Sequence, residues 1–146
     1  MTHSSSLLRP SGAFVGASWA SLAIGIVAYL AGLWNGPMAL NEKGFYLAVL
    51  LLGLFAAISL QKTVRDKMEG LPVTGIYMGV CWVGMASSLL LLAVGLFNAS
   101  LDLSIKGFYA MAYLLSLFAV VTVQKNVRDL SLFPAEQKDG SELENA

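Results

Sequence analysis

An all-α membrane fold with four transmembrane helices follows from three features of this 146-residue sequence: long apolar runs, almost no charge within them, and a pattern written twice, 63 positions apart. Hydrophobic residues make up 57% of the chain and charged residues 12%, and the mean hydropathy is +0.70. That composition leaves too little polar surface to coat a soluble globule. The architecture expected is two tandem helical hairpins, related by a pseudo-two-fold axis along the membrane normal, with both termini cytoplasmic.

The elements follow in order. A tail over residues 1–11 precedes a charge-free run from Ala13 to Trp34, which predicts a helix over 13–34. The 22 residues of that run exceed the hydrophobic region of a signal peptide, and a relative of it recurs at Tyr77 to Phe97, so it is read as a retained helix. Gly44 to Leu60 is shorter, at 17 uncharged residues. With Asn41 as N-cap, Lys43 snorkelling and Phe45 and Tyr46 in an interfacial aromatic belt, it predicts a helix over 41–66. Leu71 to Leu101 gives 31 uncharged residues and a helix over 72–98. Gly107 to Val123, assisted by Ser104, Lys106, Phe108 and Tyr109 in the same roles, gives a helix over 104–129. The first repeat is then residues 12–70, the second 71–131, and residues 132–146 form a flexible cytoplasmic tail. A helix of about 20 apolar residues crosses a hydrocarbon core of about 30 Å, which makes all four segments candidate spans.

Basic residues set the orientation. Arg9, Lys62, Arg65, Lys67, Lys125, Arg128 and Lys138 fall on one side of this topology, and Lys43 and Lys106 on the other. The richer side is the cytoplasmic one by the positive-inside rule.

The repeat is extensive. Gly16 to Gly70 laid on Gly79 to Phe133 without a gap gives 21 identities in 55 positions. Gly12 and Gly16 recur as Gly75 and Gly79, a small-xxx-small spacing that predicts close helix packing, within the chain or between chains. The polar hexads QKTVRD (61–66) and QKNVRD (124–129) close the even-numbered helices. Lys62, Arg65, Lys125 and Arg128 suit a helix C-terminus, and Gln61 and Gln124 mark the end of the apolar run. Asp66 and Asp129 do not fit, because an acid there meets the negative end of the helix dipole, and the Lys62 to Asp66 order is the less favourable one for an i,i+4 pair. Each Asp is therefore expected to face the Arg of the other repeat, Arg65 with Asp129 and Arg128 with Asp66. The four basic hexad residues are alternatively suited to anionic lipid headgroups.

GLWN, EKGFY and QKTVRD, followed by GLFN, IKGFY and QKNVRD at constant spacing, resemble the YiaA/YiaB family of bacterial inner-membrane proteins, built from a two-helix domain. The resemblance covers about residues 14–130. It implies a multi-pass inner-membrane protein with two copies of that domain, and it supplies no catalytic residue.

The residues themselves offer little chemistry. No charged residue lies inside the four apolar cores, His3 is the single histidine and Cys81 the single cysteine, so neither a triad nor a multi-cysteine metal site can be assembled from one chain. No catalytic, cofactor-binding or metal-binding residue is assigned. A net charge of zero without like-charge blocks argues against nucleic-acid binding. Ser21, Ser59, Ser87, Ser88, Ser116 and Thr122 are expected to bond to carbonyls of their own helices. The function expected is that of a non-enzymatic scaffold or accessory protein acting through helix packing and a charged cytoplasmic rim. Its partners are membrane lipids and either a second copy or another membrane protein. The alternative is a small transporter or channel formed by a homodimer, which convergence of Ser21, Ser87, Ser116 and Thr122 on one cavity would favour.

Overall fold

The computed structural model describes residues 9–144, with side-chain environments as far as residue 132. Among the described residues there are four helices: α1 Gly12–Asn35, α2 Leu40–Met68, α3 Gly75–Asn98 and α4 Leu103–Glu144. Each is long and apolar enough to cross a membrane, α4 over Leu103–Leu132. At 1.5 Å per residue the 24 residues of α1 span about 36 Å and the 29 of α2 about 43 Å.

The helix starts show how the sequence sets each boundary. Ser11 caps α1 by accepting from the Phe14 N–H at 3.2 Å, and Thr74, 63 positions later, caps α3 by accepting from Tyr77 at 3.3 Å. That cap starts α3 at Gly75 rather than at residue 72, because Thr74 keeps an extended backbone and spends its side chain on the first turn. Asn41 and Ser104 are not N-caps. They lie inside the first turns of α2 and α4, and in α2 the Ala39 N–H is satisfied by the Glu42 carboxylate at 3.1 Å. At the other end, α4 does not stop at Asp129. Its backbone stays helical to Glu144, where residues such as Ala135, Glu136, Gln137 and Lys138 have high helix propensity.

Packing crosses the repeats. α1 packs chiefly against α4 and α3 chiefly against α2, with α2 and α4 also in contact, while the two helices of one hairpin barely touch. Each hairpin is thus open, and its faces are completed by the other. A cluster of four tyrosines fills the centre. Tyr29, Tyr46, Tyr109 and Tyr113 are all buried, with Tyr29 edge-on to Tyr109 at 5.8 Å and Tyr46 stacked on Tyr109 at 6.2 Å. A buried phenol needs a partner. Tyr29 donates to the Tyr46 carbonyl at 2.8 Å, Tyr109 donates to the Gly32 carbonyl at 2.6 Å, and the Tyr113 hydroxyl meets Ser88 Oγ.

These contacts correct two expectations. Tyr46 and Tyr109 belong to the core rather than to an aromatic belt; only Phe45 and Phe108 remain exposed, since adjacent helical residues point about 100° apart and cannot share one face. Ser88 bonds across helices, to the Val49 carbonyl at 3.2 Å, whereas Ser116 and Thr122 do bond to carbonyls of their own helix. Outside the core the surface is apolar, with Trp34, Phe55, Phe97 and Phe118 more than two-thirds exposed. Such a surface suits lipid and not water.

Candidate functional site

Charge gathers at the end of the bundle where α2 stops. The last turn of α2 closes in a Schellman motif, with Gly70 N–H on the Lys67 carbonyl at 3.2 Å and Leu71 N–H on the Asp66 carbonyl at 2.9 Å. Gly70 takes φ +79°, a conformation that favours glycine. The turn holds Glu69 as the C-cap residue, one helical turn beyond Arg65 and facing α4.

From there an alternating line of seven charges runs from α2 to α4, back to α2 and again to α4. Lys62 meets Asp66 at 2.7 Å, and Asp66 meets Arg128 Nη1 at 2.6 Å. Arg128 Nη2 meets Glu69 Oε2 at 2.6 Å, and Glu69 Oε1 meets Arg65 Nε at 2.9 Å. Arg65 Nη2 then meets Asp129 Oδ1, and Asp129 meets Lys125 at 2.9 Å. Four cations and three carboxylates leave this line at +1. Its outer members are the most solvated: the lysine side chains are more than half exposed, while the Asp66, Asp129, Arg65 and Arg128 side chains are between 12% and 20% exposed.

Both cross-repeat pairs expected from the misplaced aspartates are present, Arg65 with Asp129 and Arg128 with Asp66. The local Lys62 to Asp66 and Lys125 to Asp129 pairs form as well. Their unfavourable order costs only tenths of a kcal/mol, too little to keep a carboxylate from a second cation. Glu69 is the member that sequence reasoning missed. Its position 63 residues on is Leu132, so the repeat carries no signal of it; the i,i+4 spacing from Arg65 is the one available clue. Arg65 and Arg128 hold the Glu69 carboxyl below its ordinary range. Gln61 and Gln124 are half-buried beside this line, and Gln61 Oε1 is buried without a partner.

Beneath the charges, one turn into the bundle, Asn126 Nδ2 donates to Ser18 Oγ at 3.2 Å. At the corresponding place in the other seam Thr63 Oγ1 lies 3.7 Å from Cys81 Sγ. At the opposite end Lys43 donates to the Trp34 carbonyl at 3.1 Å and Lys106 to the Phe97 carbonyl at 3.5 Å. These lysines satisfy orphan carbonyls at the C-terminal ends of α1 and α3. Gly12, Gly16, Gly75 and Gly79 have open space around them: a Cβ built on any of the four would meet nothing within 4 Å in this chain. The glycines at close helix contacts are instead Gly25, Gly32, Gly53 and Gly95.

The arrangement is one of linked ion pairs. Among the described residues no cluster of three or more His, Cys, Asp or Glu is placed to hold a metal ion. His3 lies outside the described residues.

The yiaA/B two helix domain model matches the chain twice, over residues 14–66 and 77–129. The chain belongs to the yiaA/B two helix domain family. The two matches are offset by the same 63 residues as the contacts above, and each ends on a hexad aspartate, Asp66 or Asp129. The chain is 58% identical over 127 residues to "Inner membrane protein YiaA" of Escherichia coli (strain K12), a match covering 87% of this chain and 88% of that protein. It is 37% identical over 62 residues to "Uncharacterized membrane protein YubF" of Bacillus subtilis (strain 168), covering 42% of this chain and 71% of that one. A match of that length corresponds to about one hairpin. No solved structure matches the chain. Glu69 lies just outside both domain matches.

Proposed function

We propose that this chain is a multi-pass bacterial inner-membrane protein with both termini cytoplasmic. It acts as a non-enzymatic scaffold or accessory protein, a rigid four-helix unit clasped at its charged end and free to pack against itself or another membrane protein. The observation that carries this reading is the line of cross-repeat ion pairs, which ties α2 to α4 and leaves each acid and guanidinium in it occupied by another. A site that works on a substrate needs groups held free for it.

Further support comes from the paired contacts. Ser11 and Thr74 cap in the same way, and the Arg65–Asp129 contact is exchanged for Arg128–Asp66, as a pseudo-two-fold axis along the membrane normal requires. The inner-membrane location is supported by the name of the E. coli relative, and the orientation by the seven basic residues at or beyond the hexad end. The transporter reading is the less favoured one, because Ser116 and Thr122 donate their hydroxyls to carbonyls of their own helix.

Crosslinking in native membranes, with identification of the captured proteins, tests the scaffold role. Capture of neither a second copy nor a distinct protein above an unrelated membrane-protein control sinks it. For orientation, Ser11→Cys and Ser100→Cys in a Cys81→Ser background should differ toward an impermeant maleimide on spheroplasts. Ser100→Cys should react at once and Ser11→Cys only after lysis; the reverse order overturns the topology.

A further inference from the structure

We propose that Arg65 and Arg128 form a phosphate-binding fork whose resident occupant is the Glu69 carboxylate, and that the phosphate of an anionic phospholipid displaces it. The proposal rests on the membrane location given above and not on the scaffold role.

Two guanidiniums from different helices converge on one carboxylate, each through a separate nitrogen. Arg65 gives Nε to Glu69 and Nη2 to Asp129, while Arg128 gives Nη2 to Glu69 and Nη1 to Asp66. Glu69 can therefore leave without breaking either cross-repeat pair. Its two oxygens are divided between the two arginines, an arrangement that the two non-bridging oxygens of a phosphodiester reproduce. Once Glu69 swings away, the six remaining charges, Lys62, Arg65, Lys125 and Arg128 against Asp66 and Asp129, sum to +2, which calls for an anion in its place.

Glu69 is also the carboxylate best placed to go. Its side chain is 38% exposed against 15% for Asp66 and 12% for Asp129. It sits at the helix cap beside Gly70, whereas both aspartates are held within helices. It has no counterpart in the second repeat, where Leu132 occupies the position. The arginines lie five residues past the end of the apolar runs, at Leu60 and Val123, a depth at which lipid phosphates are the most concentrated anions.

The test uses the full chain, purified in a mild non-ionic detergent, with phosphatidylglycerol, phosphatidylethanolamine and inorganic phosphate as separate probes. Native mass spectrometry reads retained lipid, and thermal unfolding reads protection by each probe. Glu69→Gln should raise phosphatidylglycerol affinity about threefold, the worth of one partly exposed ion pair, and Arg65→Gln with Arg128→Gln should abolish the preference over phosphatidylethanolamine. Equal phosphatidylglycerol retention by wild type and Glu69→Gln overturns the proposal. The Glu69→Gln arm is a gain of binding, which unfolding cannot imitate. Millimolar inorganic phosphate protecting Glu69→Gln as well as the lipid does keeps the fork and overturns the lipid as its source. These outcomes are independent of which proteins crosslink in the native membrane, so the fork and the scaffold role can fail separately.

Discussion

Gly25 on α1 lies directly against Ser116 on α4, and 63 positions along the chain the same contact recurs with the residue types exchanged, Ser88 on α3 against Gly53 on α2. A Cβ on Gly25 would stand 2.6 Å from Ser116 Oγ, and one on Gly53 would stand 2.7 Å from Ser88 Oγ. Each seam needs one glycine and one small hydroxyl residue, and the chain supplies them from opposite sides. Gly53→Ala and Gly25→Ala should therefore each lower stability by about 1–3 kcal/mol through overpacking, read by thermal unfolding in detergent. Gly16→Ala and Gly79→Ala, whose surroundings are open, should stay within about 0.5 kcal/mol of wild type. Equal losses at all four positions contradict the assignment of these seams.

The cross-repeat clasp predicts a specific coupling. Arg65→Asp leaves Asp129 and Glu69 facing a third carboxylate, and Asp129→Arg crowds Lys125, so each single change should cost about 1–3 kcal/mol. Combining them restores an opposite-charge pair at the same place, and the double variant should recover at least about 1 kcal/mol relative to the sum of the singles. Recovery is incomplete because Glu69 and Lys125 still face the wrong sign. Simple additivity in a double-mutant cycle shows that the two groups do not interact.

How far the sequence reaches can be judged from these residues. Asp66 and Asp129 were legible because they break a rule of helix ends twice, at identical spacing, and the remedy lies in the opposite Arg. The glycine seams were not found by the small-xxx-small spacing, which points to Gly12, Gly16, Gly75 and Gly79. That spacing marks a face on which small residues recur, and says nothing of whether another helix lies on it. Gly25 and Gly53 become visible once the repeats are aligned, since each stands opposite a serine in the other copy. Tyr29 and Tyr113 align with Leu92 and Leu50, so the tyrosine cluster is carried by packing that the pairwise pattern does not encode.

Glu69 gives the clasp a defined response to acid. Arg65 and then Arg128 hold its carboxyl below the ordinary value of 4.5. The ionised form is thus favoured in the folded chain, and the stabilisation is complete above the ordinary value and is lost as pH falls through the lowered native one. The difference in unfolding temperature between wild type and Glu69→Gln, measured in the same detergent, should hold steady above about pH 6 and shrink toward about pH 3. A difference that grows on acidification means the carboxyl is not held in its charged form.

Asn126, like Gln61, carries a buried side-chain oxygen without a partner. Its amide nitrogen donates to Ser18 Oγ at 3.2 Å, but its Oδ1 is buried without a partner. Ser18→Ala alone strands the amide nitrogen as well, and should cost about 1–3 kcal/mol, the desolvation penalty of an unpaired donor. Ser18→Ala combined with Asn126→Leu removes donor, acceptor and orphan together while keeping similar volume, and should be neutral or stabilising. Thermal unfolding of the single and double variants distinguishes the cases. A double variant weaker than Ser18→Ala shows that Asn126 secures the α1–α4 seam through its own contacts rather than through the bond to Ser18.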